Sequence, residues 1–217
     1  MTDTTDLSNF ESALDQINIP ESGKDVVVVG VCGMAGAGKS TFCEALAEKR
    51  PRRVFRFNCD LFSALSLSER TSRIEAARRS GDPVRLLNEE DPLNWYAWDE
   101  IHKAIEALRH RREFSFNQAW NRETGQLDAR YDLFLPGDGQ AIVLCDCIFL
   151  LHHPVRTWFD HILLIEASAE IIASRRARRS SDAQVERHAQ ERQKKFEMPY
   201  FKVNREFADA ILNEQSA

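Results

Sequence analysis

The sequence predicts an α/β fold: a mostly parallel five-stranded sheet with helices on both faces and a small hairpin at its edge. Three observations carry this. Short apolar runs of strand length, Val26–Val31, Arg53–Asn58, Ala141–Asp146, His161–Glu166 and Ala208–Leu212, alternate with longer charged helical stretches, which is the pattern of parallel strands joined by crossover helices. The first run feeds straight into a glycine-rich turn that opens a helix. Between Arg111 and Pro136, Phe114-Ser115-Phe116 and Leu127–Phe134 instead alternate around the turn Glu123-Thr124-Gly125, as the strands of a hairpin do.

A chain of 217 residues with 43% hydrophobic content can bury a core of one-domain size, and residues 1–217 are read as a single domain. Within it, residues 1–24 form an N-terminal extension, with Leu7, Phe10, Leu14 and Ile17 spaced as one face of a short helix. A net charge of −5 lacks the basic field by which a general nucleic-acid binder neutralises phosphates. The opening residues lack a basic start and an apolar core, and no later run reaches membrane-spanning length, so neither secretion nor a membrane is expected. Five cysteines without zinc-type spacing suit reduced, buried thiols in a cytoplasmic protein.

Taken in order, the first strand leads to Thr41–Lys49, a stretch of good helix formers. Pro51 breaks that helix, and the second strand ends at Cys59-Asp60, which puts Asp60 at the carboxyl edge where open α/β sheets present ligands. Ser66-Leu67-Ser68-Glu69 has the form of a capping box for a helix through Arg79, stopped by Gly81-Asp82-Pro83. After Asp91-Pro92, the residues Trp95, Trp98, Ile101, Ile105 and Leu108 recur every three or four positions, which predicts one buried helical face. The run ending in Asp146 has the form of a Walker B strand, with Asp146 beside the glycine loop. A helix from Ser168 carries Arg175 and Arg179 on one face. A second charged helix runs from about Ala183 to Glu197 and is expected to stop at Pro199.

The chemistry is concentrated in Gly33-Met34-Ala35-Gly36-Ala37-Gly38-Lys39-Ser40-Thr41, which fits the phosphate-binding spacing G-x-x-x-x-G-K-[ST] between a strand and a helix. Glycines allow consecutive N–H groups to turn inward around phosphates, and the following helix adds its positive end. Lys39 can reach the β and γ phosphates of a nucleotide, and the Ser40 hydroxyl can ligate Mg²⁺. A P-loop NTPase fold that binds ATP with Mg²⁺ is therefore expected. The Asn-Lys-x-Asp of guanine readers, an Asp-x-x-Gly switch after Asp146 and the Leu-Ser-Gly-Gly of transporter ATPases do not occur, and these absences favour a compact kinase.

From about Val26 to Leu212 the order of motifs resembles the uridine kinase family with its phosphoribulokinase and pantothenate kinase-like relatives. The pieces are the glycine loop, Asp60, Asp91-Pro92 with Trp98-Asp99, Tyr131-Asp132, Asp146–His152 and Arg175–Arg179. The resemblance implies ATP-dependent phosphorylation of a hydroxyl on a small metabolite, a nucleoside, sugar or pantothenate-like compound. It implies Asp60 as general base and, through water, a metal contact alongside Ser40 and Asp146. Asp91 and Tyr131 become substrate contacts within an acceptor region that includes about 111–136, and a lid at about 175–198 brings Arg175 and Arg179 to the phosphates. The sequence departs from that family where uridine kinases carry Glu-Gly, here Asp146-Cys147, and where Tyr131-Asp132 is followed by Leu133 and Pro136 in place of an aromatic and a histidine. Those departures argue against uridine itself, and they keep a regulatory nucleotide-binding protein and a GTPase-like switch as alternatives.

Overall fold

The computed structural model describes residues 25–179 and 183–214; the N-terminal helical stretch expected within 1–24 lies outside them. The elements in chain order are β1 (Val26–Cys32), α1 (Lys39–Lys49), β2 (Val54–Asn58), α2 (Leu67–Ser80), α3 (Pro83–Glu90), α4 (Trp98–Arg111), β3 (Glu113–Ala119) and β4 (Ala129–Phe134). They continue with β5 (Ala141–Asp146), β6 (His161–Ala167), α5 (Ala169–Arg179), α6 (Ala183–Arg192), a π turn at Gln193–Glu197, α7 (Met198–Asn204) and β7 (Ala210–Glu214). The expected single domain divides into two compact units, one running up to Arg56 and resuming at Asp138, the other Phe57–Gly137.

The first unit is built on a five-stranded sheet in the order β2-β5-β1-β6-β7, flanked by helices. Strand β1 pairs in parallel with β5 and β6, and β7 pairs in parallel with β6. Strands β1 and β5 are buried along their whole length, which is why they read as unbroken apolar runs rather than alternating ones. Val27, Val29 and Val31 form one core with Ile142, Leu144, Leu163 and Ile165, and with Phe42 and Leu46 of α1. All five cysteines are buried, and none forms a disulfide. Helix formation does not stop at Pro199. The π turn leads directly into α7, where proline occupies the first turn with the fixed φ that a helix uses.

In the second unit the capping box forms as read: Ser66 accepts from the Glu69 N–H, and Glu69 accepts from the Ser66 N–H. Gly81 closes α2 in the left-handed conformation, and Asp82 caps α3 through the Val84 and Arg85 N–H groups. Helix α4 buries Ile101, Ala104, Ile105 and Leu108, but it begins at Trp98. Trp95 ends a separate 3-10 turn, its indole N–H donating to the Glu89 carbonyl at 3.0 Å, because Tyr96 and Ala97 are not helical. The expected hairpin exists, yet β3 and β4 form a two-stranded sheet of their own. Phe62 stacks on Phe116 at 4.9 Å, and Phe57 and Tyr131 complete an aromatic cluster there.

Candidate active site

The glycine loop leaves β1 at Gly33, whose φ is +147°; a Cβ there would lie 2.3 Å from the Ile165 carbonyl oxygen, so only glycine fits. Gly36 and Gly38 also take positive φ, and Gly38 serves as the left-handed cap of α1. The Ala37 N–H donates to the Met34 carbonyl at 3.0 Å and tightens the turn. The result is an anion cradle that opens on the positive end of α1. Lys39 is buried, and its ammonium donates to the carbonyls of Gly33 at 2.9 Å and Met34 at 3.2 Å. Ser40 is half-buried and Thr41 exposed at the start of the same helix.

The register of the sheet sets Asp146 opposite Val31, two residues before the loop, and the Cys147 N–H donates to the Val31 carbonyl at 3.1 Å. The Asp146 carboxylate is buried and accepts from Arg56 of β2 at 2.6 Å; the same guanidinium also pairs with Glu44 of α1. From the other side of the loop, Glu197 in the π turn accepts the Ala35 N–H at 2.8 Å while buried from solvent. Gln193, one turn earlier, bridges Arg176 at 2.6 Å and the Met34 sulfur at 3.4 Å. Arg175 donates to the Gly36 carbonyl at 3.4 Å. Of the expected arginine pair, Arg175 thus meets the loop; the side chain of Arg179 and residues 180–182 of the lid lie outside what the structure describes.

In the second unit Asp60 sits in the 3-10 turn Cys59–Leu61 directly after β2, and Asn58 caps that turn by accepting the Asp60 N–H. The exposed carboxylate accepts from the Tyr96 hydroxyl at 3.3 Å and lies 3.9 Å from an Arg122 nitrogen. Asp91 caps the 3-10 turn that follows it, its carboxylate accepting the Leu93 N–H at 2.9 Å. Tyr131 packs edge-on against Phe57 and Phe62, each at 5.8 Å.

The profile of the AAA domain family matches residues 28–199, well over half of the chain. The chain belongs to that family. Among solved structures, this AAA domain is similar to one from Bacillus stearothermophilus described as a "possible uridine kinase", at 15% identity and a TM-score of 0.66 over 94% of this chain and 97% of that one. It is similar to D-glycerate 3-kinase from Cryptococcus neoformans at 12% identity, 95% of both chains and a TM-score of 0.63. It is similar to phosphoribulokinase from Rhodobacter spheroides at 9% identity, with 87% of this chain and 70% of that one covered and a TM-score of 0.58. The AAA domain therefore has the fold of P-loop small-molecule kinases, as the order of its motifs implied. No curated protein sequence matches it.

Four residues of the AAA domain were not singled out by sequence reasoning: Arg56, Gln193, Glu197 and Arg122. Arg56 carries a faint signal, a charge within an otherwise apolar strand; the others look like solvated positions of a helix or a loop. Among the described residues no three His, Cys, Asp or Glu side chains gather as a closed metal site would require. The donors beside the loop are a hydroxyl and a carboxylate, hard oxygens of the sparse kind that suit Mg²⁺, which takes one or two protein ligands plus phosphate oxygens.

Proposed function

We propose that this AAA domain is an ATP-dependent phosphotransferase acting on a hydroxyl group of a small metabolite such as a nucleoside, sugar or pantothenate-like compound. The observation that carries this reading is the glycine cradle with Lys39 folded onto it and the buried Asp146 at its edge, in a fold shared with small-molecule kinases. Loop N–H groups and Lys39 hold the phosphates of ATP, and Arg175 meets charge that develops on the transferred group. Ser40 and, through water, Asp60 or Asp146 would hold Mg²⁺, which would supply neutralisation of the phosphate charge. Asp60 takes the acceptor's hydroxyl proton as that oxygen forms its bond to the γ-phosphorus; the bond from the γ-phosphorus to the bridging oxygen breaks and ADP leaves. Tyr131 and Asp91 belong to the acceptor side.

Release of ADP over many turnovers, measured against a panel of nucleosides, sugars and hydroxy acids, tests the assignment. Acceptor-stimulated turnover that disappears in Asp60→Ala is the expected result. Tight ATP binding that no acceptor converts into turnover would replace it with a regulatory nucleotide-binding role. A preference for GTP with slow hydrolysis would point to a switch.

A further inference from the structure

We propose that Arg122 is a specificity residue of this site and that the acceptor is an alcohol bearing a carboxylate or phosphate group. This rests on the phosphotransferase reading, with Asp60 receiving the hydroxyl proton.

The second unit builds a fixed place for this guanidinium. The Trp120 N–H donates to the Leu61 carbonyl at 2.7 Å, which ties the segment carrying Arg122 to the turn carrying Asp60. Asn121 locks the loop beyond: its side-chain oxygen accepts the Glu123 and Thr124 N–H groups at 3.0 and 3.4 Å, its side-chain nitrogen donates to Asp128 at 2.9 Å, and its carbonyl accepts the Gly125 N–H at 2.8 Å. Tyr96 is fixed just as firmly, since its neighbours Trp95 and Ala97 exchange backbone hydrogen bonds with Ala64 and Phe62 at 2.8 and 2.9 Å.

Asp60 thus accepts a hydrogen bond from a phenol and only a long ion-pair contact from the cation. The Arg122 nitrogen stands 3.9 Å away, beyond hydrogen-bond length, with both side chains more than half or about half exposed, 62% and 50%. A neutral polyol approaching Asp60 needs no cation here. An anionic acceptor does: without one, its own charge would meet the Asp60 carboxylate unopposed. A planar guanidinium presents paired N–H donors that match the two oxygens of a carboxylate or phosphate, and Arg122 places one within 3.9 Å of the Asp60 carboxylate.

Paired probes that differ only in charge test this: glycerate against glycerol, and ribose 5-phosphate against ribose, each with ATP. The charged member of at least one pair is expected to stimulate ADP release where its neutral partner does not, and which pair responds separates a carboxylate from a phosphate. In Arg122→Gln the KM for that anion should rise at least tenfold while kcat stays within about threefold, and Arg122→Lys should recover part of the loss. Neutral acceptors working equally well, or an unchanged KM in Arg122→Gln, would overturn the inference while leaving the kinase reading intact. If no compound supports turnover, the kinase reading fails, and binding of the same four probes to the ADP-loaded protein, followed by calorimetry, still decides the role of Arg122. Anion binding lost in Arg122→Gln supports it; equal binding by the variant, or no discrimination by charge, removes it.

Discussion

The two units handle charge in opposite ways. Around the glycine loop the charged groups are withdrawn from water and each is held by a short contact: Lys39 is 8% exposed, Asp146 3% and Glu197 1%. In Phe57–Gly137 the groups that matter stand in solvent, joined by contacts of 3.3 and 3.9 Å, on turns made rigid by backbone hydrogen bonds. A triphosphate presents the same shape in every reaction, so a stiff, fully partnered cradle suits it, and preorganisation there removes a cost at the moment of transfer. An acceptor must enter, be read and leave; side chains with little prior commitment can do this without breaking buried interactions.

The largest effect should come from the donor side. Lys39→Ala is expected to lower turnover by about a thousandfold or more, as loss of a group aimed at transferring charge does, with circular dichroism showing an intact fold. Asp60→Asn should lower kcat by about a hundredfold, the lower end of what a positioned base contributes, while the Kd for ATP measured by calorimetry without Mg²⁺ stays within about twofold. A matching loss of ATP affinity in Asp60→Asn would break the contrast, because the acceptor-side carboxylate would then belong to the nucleotide cradle. Arg56→Ala should destabilise the protein by about 3 kcal/mol in urea melts, since it strands the Asp146 carboxylate in a buried position. Little change there would mean that Asp146 is better solvated than its burial indicates.

Much of the donor half is legible because its elements answer to local rules. Strand β5 falls at Ala141–Asp146 as read, since an unbroken apolar run ending in an acid leaves little choice of boundary. The loop follows from spacing alone, as does the Ser66 capping box of the second unit. What escaped detection depends on distant partners. Nothing local distinguishes Glu197 from the other acids of a charged helix; its meaning comes from Ala35, 162 residues earlier. Arg122 likewise acquires its place only through Trp120 and Leu61, and Trp95 leaves the predicted helical stripe because its indole finds the Glu89 carbonyl and a guanidinium, Arg70, 4.3 Å over its ring. Pro199 misleads for a related reason: a π turn is not visible in residue spacing, and it lets the chain resume as helix with proline in the first turn.

Glu197 gives a finer probe of how stiff the cradle must be. Glu197→Ala leaves the part-buried Ala35 N–H without its acceptor, a loss of about 1 kcal/mol, and should raise the KM for ATP more than it lowers kcat. Glu197→Gln keeps an oxygen at that place and should restore both stability and KM; failure of the glutamine to rescue would mean that the charge, not the anchoring, matters.

The smallest effect concerns acid. Burial pulls the His152 pKa below its ordinary value, against a weaker opposing hydrogen bond with the Phe149 backbone, and its Nδ1 lies 3.3 Å from the hydroxyl of Tyr200. Burial also pushes the Tyr200 phenol well above its usual range, so it stays protonated and can donate to a neutral imidazole while accepting the Leu151 N–H at 2.7 Å. With the folded pKa below the unfolded one, the neutral ring's contribution is complete above about pH 6.5 and is lost as pH falls through the folded value. Urea melts of the wild type between about pH 7.5 and about pH 5, a window that starts above the ordinary imidazole value and runs below it, should therefore show stability declining with acid, and His152→Gln should flatten part of that slope.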